Sequence, residues 1–138
     1  MTRRAAPEGA MQIGEVATRT DLSLRSLRHW EEVGLLKPSG RSEGGFRLYT
    51  EEDVEKILVI RRMKPLGFSL EQMKSAMADI ETLRASDPDP DAAEPAEAAE
   101  ARERLVELRV EAGVRRQRLE QQLAMADEFI AILRREVR

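Results

Sequence analysis

The sequence has no cysteine and a single histidine, His29. Disulfides, thiolate metal sites, iron–sulfur clusters and thiol nucleophiles are thereby excluded, and one imidazole leaves little for zinc or a nucleophilic triad. No apolar run approaches the roughly 20 residues that a membrane helix needs. Residues 1–10 carry two arginines with no apolar stretch behind them, so they do not read as a secretory signal. What remains is a chain of 138 residues, 41% hydrophobic and 36% charged, too apolar for wholesale disorder and sized for one domain, or a small domain plus one long helix.

The net charge of −3 hides an asymmetry. Residues 1–68 hold twelve Lys and Arg against ten Asp and Glu; residues 69–138 hold eleven against sixteen. The first half is the more basic, so the placement of its cations decides whether nucleic acid is a partner.

Three regions follow from composition: residues 11–84, with short periodic segments and sharp punctuation; residues 85–99, acidic and rich in Pro and Ala; and residues 100–138, free of proline. The middle stretch lacks large apolar side chains and reads as a mobile linker. In the first region Ile13, Val16, Ala17 and Thr20 share one helical face, Asp21 and Leu22 turn the chain, and Ser23 caps a second helix running to about Val33. Leu24 and Leu27 point inward there, with Arg25, Arg28 and His29 outward. Gly34 is the left-handed stop, followed by Leu35 as its hydrophobic partner. Gly44-Gly45 suits a hairpin turn, and Phe46 and Leu48, alternating with Arg47 and Tyr49, read as core. Thr50 opens a third helix whose first turn holds Glu51, Glu52 and Asp53 and whose core side is Val54, Ile57 and Leu58; Pro65 and Gly67 end it. Ser69 and Gln72 form a capping box for a fourth helix with the stripe Leu70, Met73, Met77, Ile80 and Leu83. Met73 and Met77 thus read as core filling rather than a soft-metal site. Helix, helix, hairpin, helix, helix is a winged helix-turn-helix plan, mainly α, followed by a long helix.

Four blocks in this order carry a family resemblance: Ile13-Gly14-Glu15-Val16-Ala17, the run from Ser26 to Leu36, Gly45-Phe46-Arg47-Leu48-Tyr49-Thr50, and Leu66-Gly67-Phe68-Ser69-Leu70. They closely resemble the MerR family of bacterial transcription regulators over residues 11–84. The family carries two tyrosines where this chain has His29-Trp30, both still planar hydrogen-bond donors. Its metal and redox sensors use cysteines that this chain lacks, and its larger members append a drug-binding domain for which residues up to Arg138 leave no room.

The resemblance implies that the second helix enters the DNA major groove. Arg25 is then a base reader, Arg28, His29 and Trp30 clamp the backbone, and Ser23 and Ser26 belong to the same contact set. Arg41, Arg47 and Tyr49 lie on the wing, beside the groove. Arg61, Arg62 and Lys64 form a second wing against phosphates, although cations at that helix end also suit its dipole.

In the terminal helix Leu105, Ala112, Leu119, Ala126 and Leu133 recur every seven residues, with Leu123, Ile130 and Val137 as a second row four residues behind that Arg109 and Arg116 interrupt earlier; Leu108 joins these as a pairing residue. This is a coiled-coil seam. Self-pairing is its obvious solution, and the resemblance makes the pair antiparallel; folding back on its own domain is the alternative.

The combined reading is a cytoplasmic, homodimeric, sequence-specific regulator of the MerR type. It grips a palindromic promoter element, distorts the DNA and works with RNA polymerase, with no metal or cofactor. An architectural DNA-bending or recombination accessory protein and a coiled-coil interaction adaptor are the rival readings. An enzyme is disfavoured, since no nucleophile, metal set or phosphate loop is present. Operator, target genes, sign of regulation and any inducer are not written in the sequence.

Overall fold

A computed structural model describes residues 9–86 and 95–138. The elements are β1 (Met11–Gln12), α1 (Ile13–Thr20), α2 (Leu24–Glu32), β2 (Gly40–Arg41), β3 (Arg47–Tyr49), α3 (Glu51–Met63), a 3-10 turn (Lys64–Leu66), α4 (Leu70–Ala85) and α5 (Ala96–Glu136). Two compact units divide within α4, residues 1–77 and residues 78–138.

In the first unit each short helix is fixed by its ends. Asp21, left-handed at φ 55°, closes α1 through its N–H on the Ala17 carbonyl. The Ser23 hydroxyl oxygen accepts the Ser26 N–H at 3.0 Å and caps α2. At the far end Gly34 takes φ 81°. There the Leu35 N–H reaches the Trp30 carbonyl at 2.8 Å and the Gly34 N–H that of Glu31 at 3.1 Å. This pair of bonds satisfies carbonyls the helix leaves open, and a side chain at a positive φ would strain it. Thr50 and Asp53 form a reciprocal capping box at the start of α3, with bonds of 2.9 and 3.2 Å. Asp53 is itself buried and also accepts from the Ser39 hydroxyl. Ser69 and Gln72 do the same for α4, at 2.9 and 3.1 Å.

The faces so oriented bury Val16, Thr20, Leu27, Trp30, Val54, Ile57 and Ile60. The buried Thr20 hydroxyl donates to the Val16 carbonyl at 2.8 Å. Met73, Ala76 and Met77 are buried on α4, so the methionines do fill core. Leu24, expected inward, is exposed.

The wing is a three-stranded antiparallel sheet in the order β1-β3-β2, with Met11 opposite Tyr49, Gln12 opposite Leu48, Gly40 opposite Leu48 and Arg41 opposite Arg47. The strand β1 has too few residues to show a period and was not anticipated. Leu48 and Tyr49, at the end of β3, point to opposite sides and are both buried, so both faces of the strand are covered there. Phe46 precedes the strand, in the turn that Gly45 makes at φ 82°. It is 60% exposed rather than core.

In the second unit α5 runs 41 residues, about 60 Å at 1.5 Å per residue. It passes through Gly113 unbroken and begins four residues earlier than composition suggested, with Ala98 and Ala101 buried. Most of the acidic stretch, residues 87–94, lies outside the described residues. Asp79, buried on α4, accepts from Arg104 of α5 at 2.8 Å (Nη2) and at 3.0 and 3.2 Å (Nε). That pairing raises the Arg104 pKa. Leu105, Leu108 and Ala112 are half-buried, whereas Leu119, Leu123, Ile130 and Leu133 are between 41% and 63% exposed. Ala126 is exposed too, and Val137 lies just past the end of the helix as its C-cap.

Candidate nucleic-acid interface

Arg25, Arg28 and His29 stand three and four residues apart on α2, so they share one side of it, and all three are exposed. Opposite the buried face of Leu27 and Trp30, this side offers a row of cations and donors. Ser23 and Ser26 belong to the cap beneath it, their hydroxyls 3.0 Å apart.

The same helix meets the wing around an open cleft of about 220 Å³, lined by Arg28, Arg41, Arg47, Gln12, Ile13, Gly45 and Phe46. Three of the lining residues are arginines and none is a carboxylate. Such a cleft suits phosphate oxygens, which guanidinium can bind with two parallel N–H groups. Arg41 also spans the turn, donating to the Gly45 carbonyl at 3.2 Å. Phe46 sets an exposed ring at the rim. It packs close to Gly44, where an added Cβ would stand 3.2 Å from the ring.

Arg61 and Arg62 are exposed in the last turn of α3. Lys64, also exposed, holds its ammonium 5.7 Å from the centre of the Trp30 ring, within cation–π range.

Two expected contacts are corrected. Trp30 does not project from α2; it is buried three residues from Leu27, on the same face. The signal was available, because i and i+3 lie together on a helix. Tyr49 is fully buried and donates its hydroxyl to Glu31 Oε2 at 2.9 Å. Burial first, and that hydrogen bond second, push its pKa up, so the hydroxyl remains a donor rather than a DNA contact. Glu31 itself, which also pairs with Arg47 Nε at 2.6 Å, escaped notice because its partners lie far along the chain. Among the described residues no group of three or more His, Cys, Asp or Glu could hold a metal. No described helix is long and apolar enough to cross a membrane.

The model of the MerR HTH family of regulatory proteins matches residues 11–80. The chain belongs to the MerR HTH family. The match covers α1 through most of α4, hence the cation row, the cleft and the wing. Nodulation protein NolA of a Bradyrhizobium strain is 39% identical over 77 residues, which is 56% of this chain and 32% of NolA. The chain spans between about a third and two thirds of the length of the first relatives it matches. Among solved structures, a protein from Listeria monocytogenes described as a MerR family transcriptional regulator is similar over 87% of this chain and 83% of its own (TM-score 0.60, 28% identity). HiNmlR, a MerR family regulator lacking the sensor domain and solved bound to promoter DNA, shares the fold over 88% and 79% (TM-score 0.59, 22% identity). The MerR winged helix-turn-helix is thus the fold of this chain, and coverage of 87% and 88% takes in part of the long helix as well.

Proposed function

We propose that this MerR-family chain is a sequence-specific DNA-binding transcription regulator that binds a palindromic promoter element as a homodimer and distorts the DNA. The observation that carries the reading is the convergence of Arg28, Arg41 and Arg47 around a cleft without carboxylates, beside the exposed row of Arg25, Arg28 and His29. Arg25 reads base edges. Arg28, His29, Arg41 and Arg47, with Arg61, Arg62 and Lys64, neutralise phosphates, and Ser23 and Ser26 hold the entering end of α2. Residues 11–84 form the DNA-binding domain, residues 85–99 the linker, and residues 100–138 the pairing segment.

Dimerisation rests on the seam from Leu119 to Leu133, whose Leu119, Leu123, Ile130 and Leu133 are exposed among the described residues. Antiparallel pairing buries it and places two α2 helices in one particle. Each then needs a major groove on the same face of the duplex, and such grooves recur about every 34 Å. A paired connector that cannot adjust to that repeat makes the DNA bend or untwist, at a cost of about 1–6 kcal/mol. RNA polymerase at the promoter is the partner this distortion serves, in a bacterial cytoplasm. Selection of preferred sites from a random duplex pool, followed by footprinting, tests the reading. A short palindrome protected on one face supports it, and recovery of no preferred sequence refutes it.

A further inference from the structure

Glu31 stands in the last turn of α2, where a helix end carries partial negative charge and disfavours a carboxylate. Its side chain is only 13% exposed. A carboxylate so placed persists only when well paired. Both of its oxygens are engaged by the wing: Oε1 by Arg47 Nε at 2.6 Å and Oε2 by the Tyr49 hydroxyl at 2.9 Å. Arg47 and Tyr49 are two apart on β3 and so lie on one face of the strand. Glu31 thus grips one face of the wing's central strand from the end of the helix that carries Arg25, Arg28 and His29. Arg47 nevertheless stays 48% exposed and lines the cleft, and a guanidinium has four N–H donors beyond Nε.

We propose that Glu31 is a positioning residue for DNA recognition: it fixes Arg47 and the wing against α2 so that both meet the duplex in one register. The inference rests on the DNA-binding reading above. It has a sharp consequence, because a carboxylate beside phosphate-binding arginines weakens nonspecific DNA binding by its charge alone. Removing that charge should raise affinity for any duplex; removing a positioning residue should lower affinity for the right one.

The test measures binding of the full chain and its Glu31→Gln variant to a duplex obtained by site selection and to a scrambled duplex. The expected result is a fall of roughly ten- to hundredfold on the selected duplex, the size of the Arg25 base contact disturbed when α2 and the wing lose their common register, with scrambled binding unchanged or tighter. In an Arg47→Ala background the same substitution should change selected-site binding little, since the two residues then no longer couple. Tyr49→Phe, which removes one of the two bonds and leaves Arg47 intact, should shift discrimination in the same direction by less, and it stands in if Glu31→Gln does not fold. Equal or tighter binding of the selected duplex, or equal loss on both duplexes, overturns the inference. A wild-type chain that cannot tell the two duplexes apart sinks the functional reading, and the inference with it.

Discussion

The first unit and α5 treat apolar surface in opposite ways. In the first unit, short helices and a small sheet enclose Val16, Leu27, Ile57 and Ile60 completely. Along α5, a single helix of 41 residues, Leu119, Leu123, Ile130 and Leu133 face outward. The side chains are of the same aliphatic kinds. Topology makes the difference: several elements arranged around one another have an inside, and one straight helix has none. An amphipathic helix gains most of its stability from burying its stripe. The winged unit is therefore specified within the chain, while in the homodimer proposed above a second chain covers the C-terminal half of α5.

The strongest challenge to that contrast is the double variant Leu119→Asp/Ile130→Asp. It should be monomeric by sedimentation and bind a full operator roughly 10²- to 10⁴-fold more weakly, because the second half-site contact is no longer intramolecular. Melting of the winged unit should be unchanged. Ile57→Ala should show the converse. Deleting a fully buried side chain costs about 2–5 kcal/mol of stability in the winged unit, read by denaturant titration, while chains that remain folded still pair. Arg25→Ala is smaller again. A lost bidentate base contact costs about 1–3 kcal/mol on the selected site and leaves scrambled duplex binding nearly as it was, whereas Arg61→Ala should weaken both alike.

Acid sensitivity provides the smallest effect. Arg19 hydrogen-bonds Glu51 bidentately, one bond at 2.7 Å, and holds the Glu51 carboxyl below its ordinary pKa of 4.5. A carboxyl depressed in the folded state contributes stability that is present above the ordinary value and lost as pH falls through the folded one. Glu51→Gln should therefore lower the winged unit's stability slightly near neutrality and flatten its loss on acidification, the two proteins converging at low pH. The pair is exposed, so the change is slight.

The helix ends were legible from the residues because caps are local: Ser23, Gly34, Thr50 and Ser69 act within a few positions of themselves. The heptad seam was legible for the same reason. Orientation across the wing was not. A strand of three residues offers too short a run for alternation to place Phe46 outside and Tyr49 inside, and the neighbouring strand β1 has only two residues. Asp53 read as an acid in a helix's first turn, yet its contact with Ser39 depends on a return of the chain. Glu31 has nothing local to mark it within the run from Ser26 to Leu36, and only tertiary structure brings Arg47 and Tyr49 to it.

The division of labour between the two regions is tested most directly by one comparison: the affinity and stoichiometry of the full chain on a duplex carrying the whole selected palindrome, against a duplex carrying one half of it. Two chains per whole palindrome are expected, with binding about 10²- to 10⁴-fold tighter than on the half-site. Equal affinity for the two duplexes, with one chain bound to each half independently, would contradict it.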